Sequence, residues 1–132
     1  MAIEPVKYIS FPEAVWFHLR LMREVGEIRY GVDDRTLIES ALARPQQAAH
    51  YENASLLRQA ATMCLGLIKN HPWKGGNKRT ATFLMKLFLH RNGIRWVATV
   101  NETIDLVLNI EADLWKVDEI EAWLRVHTSP LK

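Results

Sequence analysis

One short segment of the chain combines an imidazole, two adjacent glycines and basic side chains, and it separates two apolar stretches. His71 comes first, Gly75 and Gly76 follow, and Lys78 and Arg79 lie where the next helix is predicted to begin. Glycines let a backbone approach a ligand closely, and the unpaired N–H groups of a helix that begins there form a site for phosphate. Lys78 and Arg79 oppose the helix dipole by a few tenths to about 1 kcal/mol, and a bound phosphate would reverse that penalty.

His71 gives this anion site a candidate base, because an imidazole beside a phosphate can take the proton of an incoming hydroxyl during group transfer. The segment is not a Walker loop, since the Gly-x-x-x-x-Gly-Lys-Ser/Thr spacing is missing. The five histidines are scattered and lack the spacing of metal ligands. Two interpretations stay open on these grounds, a phosphate-handling site and a plain turn between helices with solvated basic residues.

The residues around His71 resemble a known family. The signature of the Fic/death-on-curing family, His-Pro-Phe-x-Asp/Glu-Gly-Asn-Gly/Lys-Arg, is similar to the run His71-Pro72-Trp73-Lys74-Gly75-Gly76-Asn77-Lys78-Arg79-Thr80-Ala81. Residues 30–32 and 37–45 look like the segment that precedes the motif in death-on-curing proteins, and residues 91–93 also fit. The resemblance extends from about residue 8 to residue 127, and it implies the family's helical fold.

The resemblance implies a role for each matching residue. His71 would be the general base that activates a target hydroxyl, and Gly76, Asn77 and Arg79 would hold the nucleotide phosphates. Lys78 indicates the death-on-curing branch, which is associated with phosphoryl transfer from ATP, whereas AMP-transferring relatives usually have Gly there. In that branch the target is a translation elongation factor and an antitoxin protein neutralises the enzyme. We expect both partners here.

Two motif positions depart from the family pattern. Trp73 replaces the buried Phe that anchors the loop, and Gly75 replaces the Asp or Glu that holds the Mg²⁺ ion bridging the phosphates. Phosphate transfer relies on such charge neutralisation. Three hypotheses follow: a carboxylate from elsewhere, such as Glu52, reaches the metal, Lys74 supplies the positive charge directly, or the domain binds nucleotide or a partner with weak or no turnover. The predicted site has no metal ligand, His71 as catalytic residue, and six nucleotide-binding residues, Lys74, Gly75, Gly76, Asn77, Lys78 and Arg79.

Composition indicates one soluble domain covering residues 1–132. Apolar residues make up 48% of the chain and charged residues 24%, as in ordinary globular proteins. No apolar run is long enough for a membrane span, and the first residues do not resemble a secretion signal. The single cysteine, Cys64, excludes an internal disulfide and suits a reducing compartment. We therefore expect a cytoplasmic protein without a membrane partner.

Charge is segregated along the chain, although its net value is only +2. Residues 54–101 contain no Asp or Glu but carry eight of the 17 basic residues, a pattern that attracts an anionic partner. Direct binding of nucleic acid is disfavoured, because the basic residues cluster at a glycine turn without an aromatic platform or a recognition helix. By resemblance, an antitoxin segment docks in a hydrophobic groove, for which Trp115 or Trp123 is the predicted lining.

The elements that must position the motif are predicted to be helices. Ser10 and Glu13 have capping-box spacing at the start of a helix that runs to about Val25 and ends at Gly26. A second helix is expected after Asp33, ending before Pro45, with a loop over residues 44–53.

Residues 55–69 are apolar on most sides, which is typical of a central helix. Asn77 is expected to cap the helix after the motif, which runs to about His90. Residues 94–100 favour an extended segment, and two more helices are expected after Asn101 and Asp118. The sequence thus predicts an all-α domain of about six helices, with the motif between the third and the fourth.

Overall fold

The computed structural model describes residues 4–131, and six α-helices with two three-residue strands account for most of them. In chain order they are α1 (Phe11–Val25), α2 (Arg35–Glu52), α3 (Leu56–Asn70), α4 (Asn77–Arg91), β1 (Ile94–Trp96), α5 (Val100–Glu111), α6 (Val117–His127) and β2 (Thr128–Pro130). The predicted all-α class with about six helices is confirmed. No helix among the described residues is long and apolar enough to cross a membrane.

The first helix begins and ends where the sequence predicts. Ser10 Oγ accepts the Glu13 N–H at 3.3 Å, and the Ser10 N–H donates to Glu13 Oε1 at 3.0 Å, which completes the capping box. Gly26 ends the helix in the left-handed conformation, with φ of 71°. Glu13 also accepts a 2.7 Å bond from the Arg91 guanidinium. The Arg91 bond, together with the hydrogen bonds from Ser10, lowers the pKa of Glu13 to about 2, and it ties α1 to the end of α4.

The second helix corrects the prediction of a loop over residues 44–53. Asp34 caps its start by accepting the Leu37 N–H, and the helix continues through Pro45 to Glu52. A proline inside a helix removes one backbone hydrogen bond and costs about 3 kcal/mol. The helix persists because its buried face continues past the proline and packs on α3, through Ile38, Ala41, Leu42, Pro45 and Ala48.

The third helix is the centre of the molecule, as predicted. It packs against α2, α4, α5 and α6, and eight of its fifteen residues are buried: Gln59, Ala60, Ala61, Met63, Cys64, Gly66, Leu67 and Ile68. The motif connects this helix to α4. The motif is therefore anchored at both ends by helices that pack in the core.

The two strands, β1 after α4 and β2 after α6, pair in a small antiparallel sheet that the sequence did not indicate. In this sheet Ile94 lies opposite Pro130 and Trp96 lies opposite Thr128. The predicted extended segment over residues 94–100 is correct only for its first half, because Thr99 caps a helix that already begins at Val100. The last helix likewise begins one residue before Asp118, at Val117.

Candidate active site

The motif begins with a histidine in an uncommon backbone conformation. His71 ends α3 with φ of 47° and ψ of 55°, and its side chain is exposed. A non-glycine residue in this left-handed region costs about 1–2 kcal/mol. Such strain persists where the surroundings fix the backbone, and it is frequent at functional sites. Here the surroundings are the connection between α1 and α2, residues 26–34, which we call the α1–α2 loop.

Backbone hydrogen bonds fasten the motif to the α1–α2 loop. Val32 and Trp73 form an isolated antiparallel bridge. The Lys74 N–H donates to the Gly31 carbonyl at 2.9 Å, and the Asp33 N–H donates to the Pro72 carbonyl at 3.0 Å. Two segments that are distant in sequence thus form opposite walls of one site.

The side chain of Asn77 forms hydrogen bonds within the motif. The prediction that Asn77 caps α4 is therefore wrong. Its Oδ1 accepts the Trp73 N–H at 2.9 Å, and its Nδ2 donates to the Trp73 carbonyl at 3.0 Å. The N-cap is Gly76, in the left-handed conformation with φ of 67°, and no side chain caps this end of the helix. Because the Asn77 side chain is engaged within the loop, an anion at the start of α4 would meet backbone N–H groups.

A buried histidine joins the motif, the loop and α4. His18 Nε2 accepts the Gly31 N–H at 2.9 Å, so the ring proton is on Nδ1, which lies 2.8 Å from Thr80 Oγ1. Burial lowers the pKa of His18 to about 4, and the ring is neutral near pH 7. Its uncharged face packs on Trp73.

Trp73 is buried, as predicted for the family's Phe position, with only 2% of its surface exposed. Its indole Nε1 has no hydrogen-bond partner among the described residues. A phenylalanine at this position would have no such donor to satisfy, so the orphaned N–H is a consequence of the tryptophan.

A pocket of about 790 Å³ opens between the motif and the α1–α2 loop. Its wall contains Trp73 and six of the seven predicted site residues: His71, Lys74, Gly75, Gly76, Asn77 and Lys78. Four residues of the loop complete it: Ile28, Arg29, Tyr30 and Asp33. The wall therefore carries three cations besides the imidazole, and one carboxylate.

The remaining predicted residue, Arg79, lines a neighbouring groove between α4 and α5. This groove has a volume of about 780 Å³ and a mainly apolar wall that includes Phe83, Trp96, Ile104 and Leu108. Lys78 lies at the boundary of the two cavities, and its Nζ is 3.3 Å from Glu111 Oε2. A phosphate in the pocket would compete with Glu111 for the Lys78 ammonium.

The groove is not lined by the tryptophans that the sequence suggested. Trp123 is buried, with its ring stacked on His127 at a centroid distance of 4.0 Å. Trp115 is half-buried and packs against the hydrophobic core. Trp96 lines this groove, since β1 presents it beside α5.

The pocket does not fit a divalent metal held by protein carboxylates. Asp33 is the only carboxylate in its wall, and residues 4–131 contain no group of three His, Cys, Asp or Glu side chains that could hold a metal ion. The hypothesis that Glu52 supplies the ligand is wrong. Its Oε1 accepts a 3.0 Å bond from Arg58 Nε in the first turn of α3, and His71 follows the last turn, roughly 20 Å along the helix axis.

Known proteins are similar to this chain over the stretch that contains the motif. A sequence profile of the Fic/DOC family matches residues 8–89, which is more than half of the chain and includes the whole motif. Toxin Doc of Mycolicibacterium smegmatis (strain ATCC 700084 / mc(2)155) is 35% identical over 107 residues, covering 75% of this chain and 82% of that protein. The chain belongs to the Fic/Doc family. The profile match ends at Leu89, so it does not cover β1, α5, α6 or β2.

The Fic/Doc motif forms only one wall of the pocket, and sequence reasoning missed the other. Arg29, Tyr30 and Asp33 precede the motif by about forty residues, and neither their spacing nor their types indicated a site. A weak signal was present, since residues 30–32 belong to the segment that resembles death-on-curing proteins. That resemblance marked the segment as similar without showing that it faces His71.

Proposed function

We propose that this chain is a Fic/Doc toxin that transfers a phosphoryl group from ATP to a hydroxyl side chain of a target protein. One observation carries the proposal. The exposed imidazole of His71 shares a pocket with Lys74, Lys78 and the uncapped start of α4. A base and an anion site in one pocket are two of the features that hydroxyl phosphorylation uses.

The chemistry assigns a role to each part of the pocket. The N–H groups at the start of α4 and the Lys74 ammonium hold the ATP phosphates, and His71 Nδ1 or Nε2 accepts the proton of the target hydroxyl. The hydroxyl oxygen bonds to the γ-phosphorus, the bond to the β-phosphate oxygen breaks, and ADP leaves. In AMP transfer the α-phosphorus would be attacked and pyrophosphate would leave. We favour the γ-phosphoryl route because Lys78 resembles the death-on-curing branch.

The partners in this proposal are an antitoxin and a translation elongation factor. The name of the Mycolicibacterium relative, Toxin Doc, supports a toxin that needs neutralisation. The chain has no Ser/Thr-x-x-x-Glu inhibitory motif of its own, which favours control by a separate protein. Both partners and ATP belong to the cytoplasm, where we place the reaction.

Two forms of labelled ATP test the proposal. The purified chain is incubated with a cell extract and ATP labelled at either the α- or the γ-phosphate, and labelled proteins are separated. Transfer of the γ label alone is expected, and transfer of the α label alone would show AMP transfer. His71→Ala should abolish labelling and growth inhibition, whereas His90→Ala, an exposed histidine at the other end of α4, should retain both.

The second candidate is a Fic-fold protein that binds nucleotide or a partner without turnover. The observation that favours it is Gly75, which removes the family's metal ligand from the motif. If neither label is transferred while ATP still binds, this candidate replaces the first. Binding of nucleic acid with a steep salt dependence would contradict both.

A further inference from the structure

Gly75 marks a place where no side chain fits. A Cβ atom built on Gly75 would overlap the carbonyl oxygen of Arg29 and would lie 3.0 Å from both the carbonyl carbon and the Cβ of Arg29. The contact with the carbonyl oxygen is too short for a real Cβ atom, and this obstacle is backbone, which cannot rotate away as a side chain can. The space needed by an acidic side chain at this position is therefore already occupied by the α1–α2 loop.

The loop is fixed in that place by bonds on both sides of Arg29. The Arg29 N–H donates to Glu27 Oε1 at 3.1 Å, and the Gly31 N–H donates to the buried ring of His18 at 2.9 Å. The Gly31 carbonyl accepts the Lys74 N–H, one residue before Gly75. The close approach of Arg29 to Gly75 is thus part of a bonded framework.

The same loop brings a cation to the pocket. Arg29 is exposed, lines the pocket wall, and forms no ion pair within residues 4–131; Lys74 has the same three properties. A guanidinium binds phosphate oxygens through two parallel N–H bonds, and an ammonium binds them as a point charge. Two cations without acidic partners beside one carboxylate, Asp33, give the pocket a surplus of positive charge for phosphates.

We propose that this site binds the phosphates of ATP without a divalent metal ion, with Arg29 and Lys74 neutralising the charge that Mg²⁺ neutralises in acid-bearing relatives. The inference rests on the proposed function, because it takes ATP as the ligand. The inference also predicts the direction in which Mg²⁺ changes the affinity for ATP. Mg²⁺ in solution reduces the charge on ATP, so adding Mg²⁺ lowers the affinity of this pocket or leaves it unchanged.

The test is calorimetric titration of the full chain with ATP in EDTA and again in excess Mg²⁺. Binding is expected in EDTA and should not become tighter in Mg²⁺. Arg29→Ala should weaken binding in EDTA roughly tenfold, the loss expected for a charge-assisted contact, and Arg29→Lys should recover part of that loss. The matched control is Arg23→Ala, an exposed cation in the last turn of α1 outside the pocket wall. Thermal unfolding of each variant checks that it remains folded.

The outcomes separate this inference from the proposed function. Binding that requires Mg²⁺, or Arg29→Ala binding like the unaltered chain in EDTA, overturns the inference and leaves phosphoryl transfer standing. Metal-independent binding without label transfer supports the inference and removes the proposed function. Absence of ATP binding in both buffers overturns the inference as well, and the label-transfer assay then decides whether the proposed function falls with it.

Discussion

His18 lies flat against Trp73, with 4.1 Å between the ring centroids and 14° between the ring planes. The stack joins a residue of α1 to the motif, and the two nitrogens of His18 add bonds to the α1–α2 loop and to α4. Both nitrogens are therefore engaged in structure. His18 positions the site and is not available to exchange protons with a substrate, in contrast to the exposed His71.

The His18 contacts predict a loss of stability in mild acid. The pKa of His18 is about 4 in the folded chain against 6.5 for an unperturbed histidine, so between these values the unfolded chain binds the proton more readily. The free energy of unfolding should fall as pH decreases from 6.5 towards 4, by up to about 1.4 kcal/mol per pH unit. Urea unfolding at pH 7, 5.5 and 4.5 measures this change in the free energy of unfolding.

His90→Gln, at an exposed position, should keep this pH dependence, and His18→Gln should lose most of it. The carboxylate of Glu13, whose pKa is lowered to about 2, loses its contribution mainly below its usual value of 4.5 and adds little to the change between pH 7 and 5.5. A free energy of unfolding that is constant from pH 7 to 4.5 would contradict the neutral, buried ring.

Trp73→Phe should cost little, because it removes the indole N–H that has no partner. We expect the free energy of unfolding to change by less than about 1 kcal/mol, since the lost contacts are offset by the removal of an unsatisfied buried donor. Trp73→Ala, which leaves a cavity, should cost roughly 3–5 kcal/mol. Urea unfolding compares the two, and a cost for Trp73→Phe as large as that for Trp73→Ala would contradict the expected gain from removing the unsatisfied donor.

Gly75→Ala should destabilise the chain and displace the α1–α2 loop. The added Cβ overlaps the Arg29 carbonyl, and we expect a loss of about 1–3 kcal/mol, as for other overpacked sites. Hydrogen exchange of the Lys74 amide, which donates to Gly31, should become faster. Gly93→Ala is the control. A Cβ at position 93 meets nothing within 4 Å, so the only expected cost is that of an alanine at positive φ. Unchanged exchange at Lys74 in Gly75→Ala would contradict the packing.

Glu111→Gln should strengthen ATP binding. The carboxylate holds the Lys78 ammonium at 3.3 Å, and its neutralisation makes that charge available to phosphates. An exposed pair of this kind is worth up to about 1 kcal/mol, so an increase in affinity of about two- to fivefold is expected at low salt. Asp105→Asn, an exposed residue of the same helix, should have no effect in the same titration. Equal affinities for both variants would show that Lys78 does not reach the phosphates.

Local signals predicted the elements that local interactions determine. The capping box at Ser10, the left-handed Gly26 and the apolar α3 all follow from a few neighbouring residues, and all three are present. The prediction that the second helix ends before Pro45 was wrong. The helix continues because its apolar face is buried against α3, a contact that the sequence around the proline does not show.

The site shows the same division between local and distant contacts. Most of the motif residues share a pocket because they are consecutive, and this part was visible in the sequence. The opposite wall depends on two backbone hydrogen bonds to residues about forty positions later: the Gly31 carbonyl accepts the Lys74 N–H, and the Asp33 N–H donates to the Pro72 carbonyl. Asn77 is likewise a residue type that often caps helices, but its side chain forms both of its hydrogen bonds with the Trp73 backbone. Pairings of this kind are specified by the folded chain as a whole.

The contact between Gly75 and Arg29 also bears on how this chain can evolve. A single substitution that introduced Asp or Glu at position 75 would displace the loop before the new carboxylate gained any ligand to hold. A viable route would first need changes in residues 27–31 that withdraw the Arg29 backbone from position 75. Gain of an acid at position 75 therefore depends on a prior change in the loop, whereas loss of an acid there adds no atom that the loop must avoid.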